Sequence, residues 1–99
     1  MVKLVEVYRG RQSSQKRAGY ELRQVYVNPS HVMCMYEDES MKTNLQEGFL
    51  PDNLDKRQSF TRLQLSQGQN FYQISVVGDI DNISEKLGLP SSNRQILHD

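Results

Sequence analysis

The stretch FTRLQLSQGQNFYQISVVGDIDNISEKL, residues 60–87, decides the fold. Its first part contains two runs of apolar, aromatic and β-branched residues, which are typical of β-strands. The polar sequence Ser-Gln-Gly-Gln-Asn separates the two runs, and Gly68 at its centre supplies the backbone freedom that a tight turn needs. The stretch therefore predicts a β-hairpin.

The end of the same stretch predicts a short helix. The carboxylate of Asp79 can accept a hydrogen bond from a backbone N–H in the first helical turn. Apolar residues then recur at helical spacing, and two helix-breaking residues follow them: Ile80, Ile83 and Leu87, then Gly88 and Pro90. The predicted unit is strand, turn, strand, helix.

Three further strands are predicted upstream of the hairpin. Residues 2–8 and 20–27 alternate in polarity, and residues 31–36 form an apolar run. Asn28 and Pro29 predict a tight turn before the third strand, because asparagine can bond to the backbone two residues on and proline fixes φ. We therefore predict an α+β fold: a small, mostly antiparallel sheet of about five strands with one short helix packed near the C-terminus.

Length and composition indicate a single domain, residues 1–99. A chain of 99 residues buries only about 60–70% of the surface that its unfolded form exposes, so a deep active site within one protomer is not expected. The 12 basic and 12 acidic residues balance, which argues against nucleic acid as the main partner. Cys34 is the single cysteine, and no apolar run approaches the ~20 residues of a membrane span. We expect a cytoplasmic protein with no membrane contact, cofactor or metal.

Charge is distributed unevenly along the chain. Residues 9–19, RGRQSSQKRAG, contain four basic residues and no acidic one, whereas residues 37–55 are rich in Asp and Glu. The first segment is predicted to be a basic loop. A solvated hairpin connection is favoured for this loop over an anion-binding site, because no phosphate-binding pattern is present.

Residues 37–59, EDESMKTNLQEGFLPDNLDKRQS, lack a clear period and are predicted to form a long, partly ordered insertion. The acidic start at residues 37–39 lacks the spacing of a calcium-binding loop, so a solvated face is favoured over a cation site. Three apolar anchors inside the segment are expected to pack on the sheet or on a second protomer: Phe49, Leu50 and Leu54.

The third predicted strand contains residue types that could serve in catalysis or ligand binding. His31 has no base, nucleophile or ligand cluster beside it in the sequence, so we interpret it as a turn histidine satisfied by hydrogen bonding. Met33, Cys34 and Met35 are interpreted as adaptable apolar fillers of the core. The sequence also has no HExxH, CxxC, G-x-S-x-G or glycine-rich phosphate motif. We therefore predict a protein that is not an enzyme.

The order of the predicted elements resembles two families. VYVNPSHVMCMYED (25–38) followed by TRLQLSQGQNFYQISVVGDIDNISEKL (61–87) is similar to the pattern of FlbD-like flagellar regulatory proteins. The same layout resembles small phage proteins of the Thoeris anti-defence type, which are oligomers that sequester cyclic ADP-ribose signals. The first resemblance implies a regulatory protein–protein interaction module. The second implies an anti-defence protein that sequesters a cyclic nucleotide or cyclic ADP-ribose immune signal.

Ligand sequestration is slightly favoured over binding of a protein partner, and nucleic-acid binding comes third. A nucleotide sponge needs guanidinium groups for phosphates, an aromatic face for the base and a pocket shared between protomers, so a homo-oligomer is expected. The candidate ligand-binding residues lie near the hairpin and the C-terminus: Arg57, Phe60, Arg62, Phe71, Tyr72, Asn93 and Arg94. The simpler interpretation makes Phe60 and Phe71 core residues, and Arg62 the outward residue of its strand.

A protein-binding module places different demands on the chain. It needs no pocket, and could use the exposed edge of the sheet, the basic loop or the apolar anchors of the insertion. The two function classes therefore predict different exposed surfaces.

Overall fold

A computed structural model describes residues 1–10 and 19–89. Within these residues it contains five strands, two helices and a short 3-10 turn: β1 (Val2–Arg9), β2 (Tyr20–Val27), the turn (Pro29–His31), β3 (Val32–Glu37), α1 (Glu39–Gln46), β4 (Phe60–Gln67), β5 (Asn70–Val77) and α2 (Ile80–Lys86). The strands form one antiparallel sheet in the order β2-β1-β5-β4-β3. The predicted small α+β fold is confirmed.

The hairpin and the C-terminal helix form as their local sequence predicts. Gln67 pairs with Asn70, and Gly68 has a φ of 64°. A glycine at the first central position is what a two-residue type II′ turn requires. Asp79 accepts a hydrogen bond of 2.8 Å from the backbone N–H of Asn82 and so caps α2. Both local predictions are confirmed.

The sheet is curled around its main core, and we call the enclosed side the inner face. Val27 of β2 and Leu65 of β4 belong to one buried cluster although β1 and β5 lie between their strands. The helix α2 packs on this face through Ile83, and Leu87 at its C-cap is buried in the same cluster. The buried members of the cluster are Leu4, Val27, Leu63, Leu65, Val76, Ile83 and Leu87.

A second cluster covers part of the opposite, outer face. Its buried members come from β1, β4, α1 and the following loop: Val7, Met41, Leu45, Leu50 and Phe60. Phe49 and Leu54 are partly buried against the same cluster. The three apolar anchors of residues 37–59 therefore pack on the sheet of their own chain.

The helix α1 was not expected from the sequence. Asp38 was predicted to lie on a solvated face, but it is 5% exposed and caps α1 by accepting a 3.0 Å hydrogen bond from the backbone N–H of Met41. Met41 and Leu45 are one helical turn apart and both face the sheet. The sequence predicted no regular structure at residues 39–46, and this prediction is corrected. One N-cap and one pair of apolar residues are enough to form a helix when the apolar pair packs on a sheet.

The exposed residues of β3 and β5 correct three further expectations. The third strand begins at Val32, because His31 closes the 3-10 turn by donating its backbone N–H to the carbonyl of Asn28 at 2.9 Å. A β-bulge between Val32 and Cys34 leaves Met33 54% exposed, and Cys34 is exposed too. Phe71 is 70% exposed. The interpretation of Met33, Cys34 and Phe71 as core residues is wrong, since none of the described elements covers the outer face beyond α1 and the loop that follows it.

None of the helices within residues 1–10 and 19–89 is long and apolar enough to cross a membrane.

Candidate functional site: an inner cleft

The predicted ligand residues that the structure describes do not meet in one place. Arg57 lies in the loop before β4 with 88% of its side chain exposed, and it pairs with Asp55 at 3.3 Å. Phe60 and Val77 form a register pair near that end of the hairpin, whereas Phe71 pairs with Ser66 near the turn. Six residues of strand separate the two levels, which corresponds to about 20 Å. Arg57 and Phe71 are therefore at opposite ends of the hairpin.

Four of the predicted residues lie elsewhere or outside the described part of the chain. Phe60 is 1% exposed and belongs to the outer core, as the simpler interpretation predicted. Tyr72 is 45% exposed on the inner face, opposite Leu65. Asn93 and Arg94 lie outside the described residues, as do residues 11–18 of the basic loop.

The Arg62 side chain is hydrogen-bonded within a polar network beneath α1. Its Nε and one terminal nitrogen contact Oδ2 of Asp38 at 3.0 and 2.9 Å, and the other terminal nitrogen donates to Gln73 at 3.2 Å. The hydroxyl of Ser75 donates to the same carboxylate at 2.6 Å. Burial alone would raise the pKa of Asp38, but the hydrogen bonds from Ser75, the Met41 backbone and Arg62 outweigh burial and lower it. The network fastens α1 to the sheet.

The best candidate site is a cleft of about 420 Å³ inside the curl of the sheet, which we call the inner cleft. It opens between the end of β2 and the hairpin β4–β5. Its apolar wall contains Val25, Val27, Leu65 and Ile74, and its polar groups come from Glu6, Arg23, Asn28, His31, Gln67 and Tyr72. A concave, mainly apolar site of this size with a few convergent polar groups is typical of small-molecule binding.

Arg23 provides the positive charge of the inner cleft. Its Nε donates to Oε1 of Glu6 at 2.9 Å, and the Glu6 side chain is 9% exposed. The Arg23 guanidinium lies 4.1 Å from the centroid of the Tyr8 ring, and the Tyr8 hydroxyl donates to Glu21 at 3.0 Å. The hydrogen bond with Glu6 also raises the pKa of Arg23, which keeps it charged. The guanidinium is thus held in place by an ion pair and by an aromatic ring.

The remaining donors of Arg23 are available to a ligand. Of the three guanidinium nitrogens, only Nε donates a hydrogen bond within the described residues, and 56% of the side chain is exposed. A guanidinium that is fixed through Nε presents its terminal nitrogens as a fork that fits carboxylate or phosphate oxygens. Tyr72 and His31 line the same cleft and supply ring surfaces. The arrangement can hold an anionic group next to a planar one.

Sequence reasoning found Tyr72 but missed Glu6, Arg23 and the role of His31. One signal was present: Glu6 alternates with Leu4 on the inward face of β1, and Arg23 lies opposite it in β2. An acid among inward positions with a base on the neighbouring strand indicates an ion pair at the core boundary. The curl that brings Tyr72 to this pair has no local signal.

The outer face has a smaller depression, which we call the tip patch, with a volume of about 240 Å³. Exposed Met33 and Phe71 line it together with Gln64 and Gln73, which face each other in the register of β4 and β5. Cys34 donates to the side-chain oxygen of Gln64 at 3.3 Å. Arg62 donates to the side-chain oxygen of Gln73 in the same way, so the NH₂ groups are the remaining donors of both carboxamides.

Within residues 1–10 and 19–89, no group of three or more His, Cys, Asp or Glu residues is placed to hold a metal ion. Comparisons of the chain with protein-family models, with curated proteins and with solved structures find no match.

Proposed function

We propose that this chain is a non-enzymatic binding protein that holds a small anionic molecule with a planar ring, such as a nucleotide, in the inner cleft. The observation that carries the proposal is the Arg23 guanidinium, anchored by Glu6 and stacked on Tyr8 at the side of a cleft of about 420 Å³. A phosphate would pair with the terminal nitrogens of Arg23. A base would lie against Tyr72 and the apolar wall.

The ligand class is the one that the sequence favoured, a nucleotide-like anion, but its site is the inner cleft and not the set of residues predicted from the sequence. Arg62 is bound to Asp38 and Gln73, and Arg57 lies at the far end of the hairpin, so neither supports a pocket with Tyr72. Glu6 is held in an ion pair with Arg23, which favours a recognition role over proton transfer. Sequestration of a cyclic nucleotide or cyclic ADP-ribose signal is one form of this function.

Native mass spectrometry of the purified chain, before and after heat release, identifies a ligand carried from the cell. Titration calorimetry with nucleoside monophosphates, cyclic mono- and dinucleotides and cyclic ADP-ribose isomers then gives affinities. We expect a phosphate-containing adduct and saturable binding of at least one compound of this panel. A clean mass together with no heat signal across the panel would contradict the proposal.

The variant Arg23→Gln is expected to weaken binding of that compound by about 10- to 100-fold, the value of a charge-assisted pair. Glutamine keeps a donor for Glu6 and removes the charge, so the fold should be retained. Arg57→Ala is the matched control and should leave the affinity unchanged, because Arg57 lies outside the cleft. The reverse result, with Arg57→Ala weakening binding and Arg23→Gln not, would restore the site predicted from the sequence.

A second candidate function is the binding of a protein partner at the tip patch. Phe71 and Met33 are 70% and 54% exposed at one depression, which is also lined by Gln64 and Gln73, whose NH₂ groups can donate to backbone carbonyls. Aromatic and methionine side chains of this kind are enriched in protein interfaces. This is the function class that the FlbD-like resemblance implies.

A photoreactive benzoylphenylalanine in place of Phe71 is expected to cross-link one defined protein in cells, and the same group in place of Arg57 is expected to give none. After the captured protein is purified, Phe71→Arg should weaken its binding at least about tenfold, since a charge in a desolvated pocket is costly. Equal cross-linking from both positions, or unchanged affinity of Phe71→Arg, would remove this candidate.

A further inference from the structure

Along the outer edge of β2, some backbone groups have no partner among the residues that the structure describes. Tyr20 donates its N–H away from β1, to the carbonyl of Phe49 at 3.0 Å. Because N–H and C=O groups alternate in direction along a strand, those of Leu22, Gln24 and Tyr26 point the same way. Within residues 1–10 and 19–89 these three residues have no hydrogen bond on that side. The edge can therefore accept another strand.

The two edges of the sheet differ in how they are protected. The edge strand β3 has six residues, contains a bulge and leads directly into α1. The edge strand β2 has eight residues in continuous register with β1, with no bulge and no proline. Its outward-pointing positions Leu22, Gln24 and Tyr26 are uncharged. Natural edges of this length normally carry charges, a proline or a bulge that prevents pairing. The two charged side chains of β2, Glu21 and Arg23, are instead engaged by Tyr8 and Glu6 of β1.

We propose that the edge of β2 pairs with β2 of a second copy of this chain, antiparallel and centred on Gln24. In this register Leu22 lies opposite Tyr26 of the partner subunit and Gln24 lies opposite itself, with up to about six interchain hydrogen bonds. Tyr26, which is 63% exposed, packs against Leu22 of the partner subunit. Because the net charge of the chain is zero, two copies do not repel each other through their overall charge.

Charge selects this register over its neighbour. A shift of one hydrogen-bonded step toward the N-terminus would place Arg23 directly opposite Arg23 of the partner subunit, and like charges in that position are destabilising. In the register centred on Gln24, Arg23 lies opposite Val25 of the partner subunit. All three free residues of β2 are then used. The strand is thus complementary to itself in one register, as a two-fold interface requires.

The pairing has a consequence for the inner cleft, and this consequence rests on the proposed function. Val25 lines the cleft and points to the inner face, like Arg23. In the dimer each Val25 has Arg23 of the partner subunit as its cross-strand neighbour, about 5 Å away between Cβ atoms. The Arg23 guanidinium stays on Glu6 and Tyr8 of its own subunit, so each cleft keeps one guanidinium and the two clefts lie side by side on the same face of the joined sheet.

Sedimentation velocity of the full chain without ligand tests the pairing. Wild type is expected to be a dimer, and Gln24→Pro is expected to raise the dimer dissociation constant roughly 30-fold, because each copy loses one interchain donor. Proline is tolerated at this position of an edge strand, since the N–H of Gln24 faces outward. Gln24→Ala keeps the N–H and should remain dimeric. A wild-type monomer at all concentrations, or a folded Gln24→Pro variant that dimerises normally, would overturn the proposal.

Amide hydrogen exchange keeps the proposal testable if Gln24→Pro fails to fold. In wild type, the amides of Leu22, Gln24 and Tyr26 should become protected as concentration rises, whereas Val25, which is bonded to β1, should be protected throughout. Fast exchange of the three amides at every concentration would refute the pairing. Because both measurements are made without ligand, failure of the proposed function and failure of the dimer are distinguished.

Discussion

Replacing Asp38 by alanine is expected to lower the free energy of unfolding by roughly 3–4 kcal/mol. The change removes the N-cap of α1 and leaves the 29%-exposed side chain of Arg62 and the buried hydroxyl of Ser75 without their acceptor. A lost cap alone costs about 1 kcal/mol, and the remainder comes from the Ser75 hydroxyl and from the Arg62 guanidinium, which loses its carboxylate and keeps only Gln73. Urea unfolding followed by circular dichroism measures the change.

Two matched variants separate the parts of this effect. Ser75→Ala removes one donor and leaves the carboxylate with its other partners, so a loss of about 1–2 kcal/mol is expected. Asp55→Ala removes another carboxylate that is paired with an arginine, Arg57. Both side chains of this pair are mainly exposed, so the free energy of unfolding should be unchanged within error. An Asp38→Ala protein as stable as Asp55→Ala would show that the network does not fasten α1.

Acid should release the same interaction. The pKa of Asp38 is lower in the folded chain than the ordinary carboxyl value, so ionised Asp38 stabilises the fold at pH values above about 4. This contribution is lost as the pH falls through the lowered pKa. The stability difference between wild type and Asp38→Asn should therefore be constant near neutral pH and shrink below pH 4. A difference that persisted at the acid end would mean that charge plays no part.

The elements that the sequence predicted are those specified by neighbouring residues. The hairpin turn needs a positive φ that Gly68 supplies, and α2 needs the cap of Asp79 together with apolar residues one turn apart. In contrast, α1 has only two buried apolar residues, Met41 and Leu45, in an otherwise polar segment. Its stability comes from tertiary packing and from partners distant in the chain, which a local pattern does not contain.

The candidate site could be predicted only in part for the same reason. Tyr72 was recognisable as an aromatic residue on a hairpin strand, but Arg62 was assigned to a ligand because its partner Asp38 lies 24 residues away in the sequence. Arg23 is not among the residues that the sequence predicted to bind a ligand. Its place in the inner cleft depends on the curl of the sheet, which brings the end of β2 to the hairpin.

Substitution by alanine is expected to destabilise the fold strongly at Phe60 and very little at Phe71. Phe60→Ala should lower the free energy of unfolding by about 3–5 kcal/mol, because Phe60 is 1% exposed and its removal leaves a cavity between α1 and the sheet. Phe71→Ala should change it by less than about 0.5 kcal/mol, because that ring is 70% exposed. Urea unfolding at one low protein concentration measures both.

The conservative variant Phe60→Leu distinguishes a core residue from a ligand contact. Leucine refills most of the space, so the loss of stability should be below about 1.5 kcal/mol, and ligand affinity should match wild type because Phe60 lies outside the inner cleft. A stable Phe60→Leu protein with weakened ligand binding would return Phe60 to the site predicted from the sequence. A large loss of stability in Phe71→Ala would mean that another surface covers this ring, and repeating the unfolding at higher protein concentration would show whether that surface belongs to a second copy. The pair thus tests, with one residue type, whether the hairpin uses its aromatic residues for packing near α1 and for recognition at its tip.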